Sequence, residues 1–203
     1  MKKVIAILLV LAMVFAFAAC KKDDGGKEEE TGVPFDAEVL EANWQDGSLT
    51  FENGNTITLP CTVSEILEAS GLTLQNADTL TEKELKKGET INLYLFEGTE
   101  TRISIDAKNT GSDPVLVMDA KVTRYSFKHG GKEYPGNKLL KFAGTLTVDA
   151  SRIEIEDVLG EGSEGNRGLV TYEGTNSDNR KVQMKLMYDL DGKFVNNVAF
   201  EVM

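Results

Sequence analysis

Residues 55–71, NTITLPCTVSEILEASG, match residues 144–160, GTLTVDASRIEIEDVLG, at a constant offset of 89. Each stretch opens with a short strand pattern and then has a hydroxyl residue, Thr62 or Ser151, followed three residues later by a glutamate. This spacing is typical of the capping box at the start of a helix. Apolar residues at helical spacing follow, and each stretch ends in a glycine, Gly71 or Gly160, at the position of a left-handed C-terminal cap. The two stretches therefore predict two short capped helices.

Strand patterns follow each predicted helix. Residues 91–96 and 102–107 flank a hairpin turn at 97–100, and alternating apolar residues run through 182–190 and 195–202. Each unit thus consists of a short helix followed by strands that tight turns connect. This order predicts an α+β fold of two tandem repeats, each a short helix packed on an antiparallel β-sheet.

A second architecture is compatible with part of the sequence. Residues 103–115, ISIDAKNTGSDPV, also read as two strands of an immunoglobulin-like β-sandwich connected by a turn. The two predicted capped helices argue against a pure sandwich, and the immunoglobulin-like β-sandwich is therefore the alternative fold.

The first 19 residues have the features of a signal peptide. Met1-Lys2-Lys3 is a short positive segment, residues 4–19 are apolar, and small residues stand directly before Cys20. Residues 20–33 are mainly charged and glycine-containing, which is typical of a tether that packs no core. A retained transmembrane helix and ordinary secretion are the alternatives, since the apolar run approaches the length that spans a membrane.

This N-terminal pattern resembles the signal peptide of bacterial lipoproteins, in which the cysteine receives a diacylglyceryl group and becomes the new N-terminus. Phe17 departs from the leucine or valine that is usual three residues before that cysteine. The resemblance implies that Cys20 is lipidated and that the protein is extracytoplasmic, anchored by this lipid to the outer face of the cell membrane. Cys61 would then be the one remaining thiol.

The predicted organisation follows from these boundaries. A lipoprotein signal peptide (1–19) precedes a disordered charged tether (20–33), a first α+β repeat (34–127), a linker loop (128–138) and a second α+β repeat (139–203).

The helix-plus-sheet unit, present twice in an exported chain, resembles the tandem fold of the β-lactamase inhibitor protein family. Single units of similar order occur in BamE-like envelope lipoproteins. The segment TLPCTV at residues 58–63, followed by a short helix and Gly71-Leu72, looks like a family of uncharacterised lipoproteins from gut Firmicutes. The resemblance spans most of residues 45–203. It implies an architecture and identifies no functional residue, because its motifs are turns and caps.

Composition excludes several functions. The chain has 33 acidic and 22 basic side chains and a formal charge of −11, whereas nucleic-acid binding requires clustered Lys and Arg. Two cysteines and one histidine cannot build a disulfide scaffold, a four-thiolate zinc site or a histidine-rich metal centre. We therefore expect no nucleic-acid partner, no metal and no cofactor.

Four candidate catalytic or metal sites have simpler interpretations. Cys61 has apolar neighbours and is expected to be a small buried side chain, while His129 lies in a glycine-rich loop that is expected not to hold an imidazole in one orientation. Residues 189–192, DLDG, begin like a calcium loop but are expected to form a hairpin turn. The acidic cluster at 154–164 is expected to be a solvated helix face.

The sequence therefore favours a non-catalytic, lipid-anchored protein of the cell envelope that binds another envelope or extracellular protein. Two alternatives stay open, namely an envelope-acting hydrolase or thiol enzyme, and a lipoprotein that binds a small ligand or glycan. The predicted interaction surface consists of side chains in three loops: Glu97, Thr99, His129, Tyr134, Asn166 and Arg167.

Overall fold

The structure is a computed structural model that describes residues 44–203. The predicted signal peptide (1–19), Cys20 and the tether (20–33) lie outside the described residues, as do residues 34–43 of the predicted first repeat. The described part of the chain is mostly β-sheet with few helices. This composition is compatible with the predicted α+β class and with the β-sandwich alternative.

Fourteen strands and three short α-helices form within residues 44–203. The helices are α1 (Val63–Ser70), α2 (Ala77–Leu80) and α3 (Arg152–Leu159). The strands are β1 (Leu49–Thr50), β2 (Thr56–Ile57), β3 (Cys61–Thr62), β4 (Thr73–Leu74), β5 (Glu84–Leu85), β6 (Thr90–Glu97), β7 (Thr101–Lys108), β8 (Val115–Leu116), β9 (Lys121–Lys128), β10 (Lys141–Phe142), β11 (Ser163–Glu164), β12 (Leu169–Thr175), β13 (Lys181–Tyr188) and β14 (Val195–Val202).

One antiparallel sheet contains most of these strands, in the order β11-β12-β13-β14-β9-β7-β6-β4, with β3 also paired to β9. Along the chain α1 is followed by β4, β6, β7 and β9, and α3 is followed by β11, β12, β13 and β14. The two sets of strands meet where β14 pairs with β9, Val198 opposite Phe127. The strands of the two predicted units therefore belong to one continuous sheet. The other described strands form two small sheets, β10-β1-β2 and β5-β8.

Both predicted capping boxes are present. In α1 the Thr62 hydroxyl accepts from the backbone N–H of Glu65 at 3.1 Å, and the Glu65 carboxylate accepts from the backbone N–H of Thr62 at 2.5 Å. Ser151 and Glu154 make the same two bonds at the start of α3, at 3.3 and 2.7 Å. These bonds satisfy backbone donors that a helix start leaves without partners.

The two helices end differently. Gly71 after α1 is left-handed, with φ 70° and ψ 4°, as its position predicts. The same prediction for Gly160 is wrong, because its φ of 78° is combined with a ψ of −168°. The chain therefore leaves α3 in an extended conformation that only glycine adopts easily. Neither helix is long and apolar enough to cross a membrane, nor is any other in residues 44–203.

The core lies on one side of the main sheet, because side chains alternate across each strand. Tyr125 of β9 is fully buried there, with its ring 5.8 Å from that of Phe200 and its hydroxyl 3.3 Å from the backbone oxygen of Ser48. Trp44 is partly buried and packs edge-on against Tyr172 of the core, with ring centroids 6.4 Å apart. Helices α1 and α3 add four buried side chains to the same core: Val63, Ile66, Ile155 and Leu159.

The other side of the main sheet is polar, and we call it the open face. On β6, β7 and β9 it presents side chains that are half-buried or exposed. Asn92 donates to Asp106 at 2.6 Å and to Ser104 at 2.9 Å, and Arg124 pairs with Asp106 at 3.1 Å. Cross-strand polar contacts of this kind hold the open face in one arrangement.

Candidate functional site

A groove of about 500 Å³ lies on the open face, between the strands β6, β7, β9 and β14 and the loop that follows β9. Its lining is mainly polar, with two tyrosines and a cluster of basic side chains. The lining residues are Asn92, Tyr94, Arg102, Ser104, Arg124, Ser126, Phe127, Lys128, His129, Gly130, Glu133, Tyr134, Asn137 and Asn197.

Arg102 is held between two aromatic rings in this groove. Its guanidinium carbon lies 4.4 Å from the ring centroid of Tyr94 and 5.7 Å from that of Tyr134, and its Nη1 donates to the Tyr134 hydroxyl at 3.0 Å. A cation over an aromatic face is attracted by the ring quadrupole. The hydrogen bond to Tyr134 is the main cause that raises the pKa of Arg102, so the guanidinium stays charged.

Asn137 fixes the loop after β9 onto the sheet. Its side chain is buried, accepts from the backbone N–H of Arg102 at 2.9 Å and donates to the backbone oxygens of Arg102 and Lys128 at 3.2 and 2.9 Å. One amide thus bridges β7 and β9 and uses both of its polar atoms. The segment predicted as a linker (128–138) is therefore a packed wall of the groove, and its last part forms a 3₁₀ turn at Pro135–Leu139.

Two glycines allow this close packing. A Cβ on Gly136 would lie 2.3 Å from Thr101 Oγ1 and 2.9 Å from the Glu100 oxygen, and one on Gly130 would lie 1.6 Å from the Tyr134 oxygen. No larger residue fits either position without moving the backbone. The glycines that suggest flexibility in the sequence therefore serve close contact in the fold.

His129 has a defined orientation, contrary to the expectation from its glycine-rich surroundings. Its Nε2 lies 2.8 Å from Asp149 Oδ1, and its backbone N–H donates to the Asn196 oxygen at 2.9 Å. Lys138 Nζ lies 3.6 Å from the second oxygen of Asp149. Asp149 is 20 residues away in sequence, so no local pattern predicts the pair.

The groove carries more positive than negative charge. Arg124 is paired with Asp106, but within residues 44–203 neither Arg102 nor Lys128 forms an ion pair. Glu133 is the one carboxylate among the lining residues. On a chain with a formal charge of −11, this groove is a local basic site.

The structure brings together some of the six predicted surface residues. His129 and Tyr134 line the groove, and the turn that contains Glu97 and Thr99 lies beside it, because the Glu100 oxygen accepts from Gly136 N–H at 2.7 Å. Asn166 and Arg167 precede β12, which is three strands away from β9, or roughly 14 Å at the usual strand spacing. They lie at the same end of the sheet but outside the groove.

Sequence reasoning missed the residues at the centre of the groove. Tyr94 and Arg102 are on strands that the sequence predicts, and the alternation of Leu93, Tyr94 and Leu95 places Tyr94 opposite to the core. This alternation could therefore have identified Tyr94 as a side chain of the open face. Asn137 could not be found in this way, since its role depends on Arg102 of β7, which is 35 residues away in sequence.

Cys61 is buried, as expected, and is unsuited to nucleophilic chemistry. It is 7% exposed, and burial, with a smaller contribution from Glu65, raises the pKa of its thiol to about 12. Its strand partner Val122 is at the start of β9, whereas His129 follows the end of β9. At roughly 3.3 Å per residue along β9, Cys61 and His129 are therefore many times farther apart than a hydrogen bond allows.

Asp189 and two glutamates of the acidic cluster have structural partners. Asp189 Oδ1 accepts from the backbone N–H groups of Lys193 and Phe194 at 2.7 and 3.3 Å, which confirms the predicted turn. In the acidic cluster, Arg152 binds Glu156 at 2.6 Å and also Glu164. The described part of the chain holds no group of three or more His, Cys, Asp or Glu side chains that could bind a metal ion.

Comparison with protein families, with curated proteins and with solved structures finds no significant match to this chain.

Proposed function

We propose that this chain is a non-catalytic, lipid-anchored protein of the cell envelope, and that it binds another protein through the groove on its open face. The anchor is Cys20, by the lipoprotein-like pattern of the first 20 residues. The observation that carries the binding role is the arrangement of Arg102 between Tyr94 and Tyr134. Tyrosine and arginine are among the residues that contribute most to protein–protein binding.

The surroundings of the groove support a protein as the partner. Phe194 is 49% exposed and its ring centroid lies 6.3 Å from that of His129, so an apolar side chain borders the polar groove. Leu190 in the same turn is fully exposed. An aromatic and arginine centre beside accessible apolar side chains is typical of a protein interface.

We infer in addition that the fold consists of two tandem copies of one unit. The bounds of α1 and α3 are offset by 89 residues, as the sequence stretches are, and each helix begins with a capping box. Outward from the β9–β14 pair, the main sheet contains β9, β7, β6 and β4 on one side and β14, β13, β12 and β11 on the other. In each half the strands thus follow the chain order towards the centre of the sheet. This symmetry supports a tandem fold that resembles the β-lactamase inhibitor protein family, and it disfavours the immunoglobulin-like alternative.

Site-specific photocrosslinking in cells tests the binding role. A photoreactive amino acid replaces Tyr94 in one variant and Tyr134 in another, while a third variant carries it at Glu173, which is exposed on the distant strand β12. We expect one discrete protein adduct at both groove positions and none at Glu173. Equal adducts at all three positions, or no protein adduct at either tyrosine, would contradict the proposal.

The cavity volume favours a second candidate, a small-ligand or glycan-binding lipoprotein. Small-molecule sites usually measure roughly 300–1,000 Å³, and this groove of about 500 Å³ lies in that range. Such sites are mostly apolar, however, and this one is mostly polar. Adducts at Tyr94 and Tyr134 that contain cell-wall fragments and no protein would favour this candidate.

A further inference from the structure

We propose that the protein partner inserts an acidic segment into the groove, with its carboxylates bound to Arg102 and Lys128. This inference rests on the proposed function, since it names the chemistry that the same groove recognises. Its support comes from the geometry of Arg102, the unpaired charge beside it and the charge of the remaining chain.

Arg102 is preorganised for a carboxylate. A guanidinium is a planar fork that binds a carboxylate through two parallel hydrogen bonds. The rings of Tyr94 and Tyr134 and the bond to the Tyr134 hydroxyl hold this fork in place. The backbone of Arg102 is in turn clamped on both sides by Asn137. Little side-chain entropy is lost when a ligand binds to a group that is already ordered.

Lys128 extends the basic site along β9. It is exposed at the end of that strand, and within residues 44–203 it forms no ion pair. Arg124, on the same face, is neutralised by Asp106. Arg102 and Lys128 are thus the two cations in the groove for which the described residues supply no carboxylate.

The groove fits a peptide segment better than a small anion. The exposed ring of Phe194 borders the groove, and an isolated carboxylate has no apolar group that could pack against it. A segment of chain brings carboxylates for the two cations, backbone groups for the amide and hydroxyl side chains of the lining, and an apolar side chain for Phe194.

The overall charge makes this recognition selective. The chain has a formal charge of −11, so an acidic partner is repelled by most of the surface and is attracted where basic groups cluster. A basic segment would meet the uncompensated charges of Arg102 and Lys128 in the groove. Acidic and basic partners are therefore discriminated by this one site.

Fluorescence anisotropy with labelled peptides tests the proposal. The full chain, purified in detergent, is titrated into fluorescein-labelled hexaglutamate and, separately, hexaglutamine, at about 0.1 M salt, where charges more than about 10 Å apart are screened. We expect hexaglutamate to bind at least about tenfold more tightly. We expect Arg102→Gln to weaken hexaglutamate binding about tenfold or more and Lys128→Gln about threefold, because each loses a charge-assisted contact. Arg102→Lys, which keeps the charge without the fork, should give an intermediate loss.

The matched control is Lys185→Gln, which removes one positive charge from β13 outside the groove and should leave binding unchanged. Equal affinity for the two peptides, or equal losses in Arg102→Gln and Lys185→Gln, would overturn the proposal. Thermal unfolding shows whether Arg102→Gln folds. If it does not, Lys128→Gln and Lys128→Glu decide: because the Lys128 side chain is exposed, we expect both variants to fold, and unchanged hexaglutamate binding in both would overturn the proposal. A protein crosslinked at Tyr94 and Tyr134 that binds Arg102→Gln as well as the native chain would leave the proposed function standing and refute the acidic segment.

Discussion

The backbone N–H of Gly136 donates a hydrogen bond to the carbonyl oxygen of Glu100, with 2.7 Å between the two atoms. This bond attaches the loop after β9 to the turn between β6 and β7. Since Tyr134 lies in that loop and Arg102 is the second residue of β7, the contact also sets the width of the groove.

Replacing Gly136 by alanine should therefore destabilise the protein. The new Cβ would lie 2.3 Å from Thr101 Oγ1 and 2.9 Å from the Glu100 oxygen, and overpacking of this kind costs about 1–3 kcal/mol. Urea unfolding measures the loss. Gly111→Ala is the matched control, because a Cβ there would meet its nearest atom at an ordinary 3.4 Å. Equal stability of the two variants would show that the loop does not pack as described.

Removing either capping hydroxyl should cost about 1 kcal/mol of unfolding free energy. Thr62→Ala and Ser151→Ala each leave a backbone N–H at the start of a helix without its side-chain acceptor. The midpoints of urea unfolding give both values. Ser177→Ala, in an exposed turn, should stay within about 0.5 kcal/mol of the native chain. A loss in that control as large as in the cap variants would speak against the capping role.

The two capping glutamates should make stability depend on pH. The backbone N–H of Thr62 is the main cause that lowers the pKa of Glu65, and the Ser151 side chain is the main cause for Glu154. A carboxyl whose folded pKa is lowered adds stability above its unfolded pKa, and this stability is lost as pH falls through the folded pKa. The double variant Glu65→Gln/Glu154→Gln should thus be less stable than the native chain at neutral pH, and the difference should shrink as the pH falls below the ordinary glutamate pKa of about 4.3.

The free energy of unfolding, measured at several pH values for the native chain and the double variant, tests this pH dependence. Glu68→Gln, on the exposed side of α1, is the control. A difference that stays constant from neutral to acidic pH would contradict the assignment of these carboxylates.

Cys61 should resist alkylation in the folded protein. Its side chain is buried and the pKa of its thiol is raised to about 12, so the reactive thiolate is scarce at neutral pH. In a Cys20→Ser background Cys61 is the one thiol, and intact-mass spectrometry after iodoacetamide should show no adduct until urea unfolds the chain. Rapid modification of the folded chain would instead favour the thiol-enzyme alternative.

Lipidation should depend on Cys20. The variant Cys20→Ser lacks the thiol that receives the lipid, so we expect it to incorporate no labelled palmitate and to be released or to accumulate as uncut precursor. Cell fractionation and labelling measure both effects, and Cys61→Ser is the control that should stay lipidated. Unchanged labelling and membrane attachment in Cys20→Ser would remove the anchor from the proposed function.

The features that could be predicted from sequence are local. Thr62 and Glu65 are three residues apart, and so are Ser151 and Glu154, so neighbouring residues encode both capping boxes. The buried state of Cys61 followed from its apolar neighbours for the same reason. The conformation of Gly160 could not be predicted locally, because the direction in which a chain leaves a helix depends on where the next element packs.

The groove could not be predicted because its contacts are remote in sequence. Arg102 meets Tyr134 across 32 residues and Asn137 across 35, and His129 meets Asp149 across 20. Read locally, the glycines of this loop suggested flexibility. In the fold Gly136 allows a backbone contact that no side chain would permit.

The amino-acid sequence by itself determined where α1 and α3 begin and which face of β6, β13 and β14 is buried, since capping spacing and alternation of apolar residues are properties of adjacent positions. Only the tertiary structure decided that β14 pairs with β9, so that two sets of strands form one sheet, and that the loop after β9 folds over its open face. Strands pair through backbone N–H and C=O groups, which differ little from one strand to another, so the sequence of a strand does not determine which strand it pairs with. The groove around Arg102 exists because of that pairing and the buried amide of Asn137 that holds the loop on it.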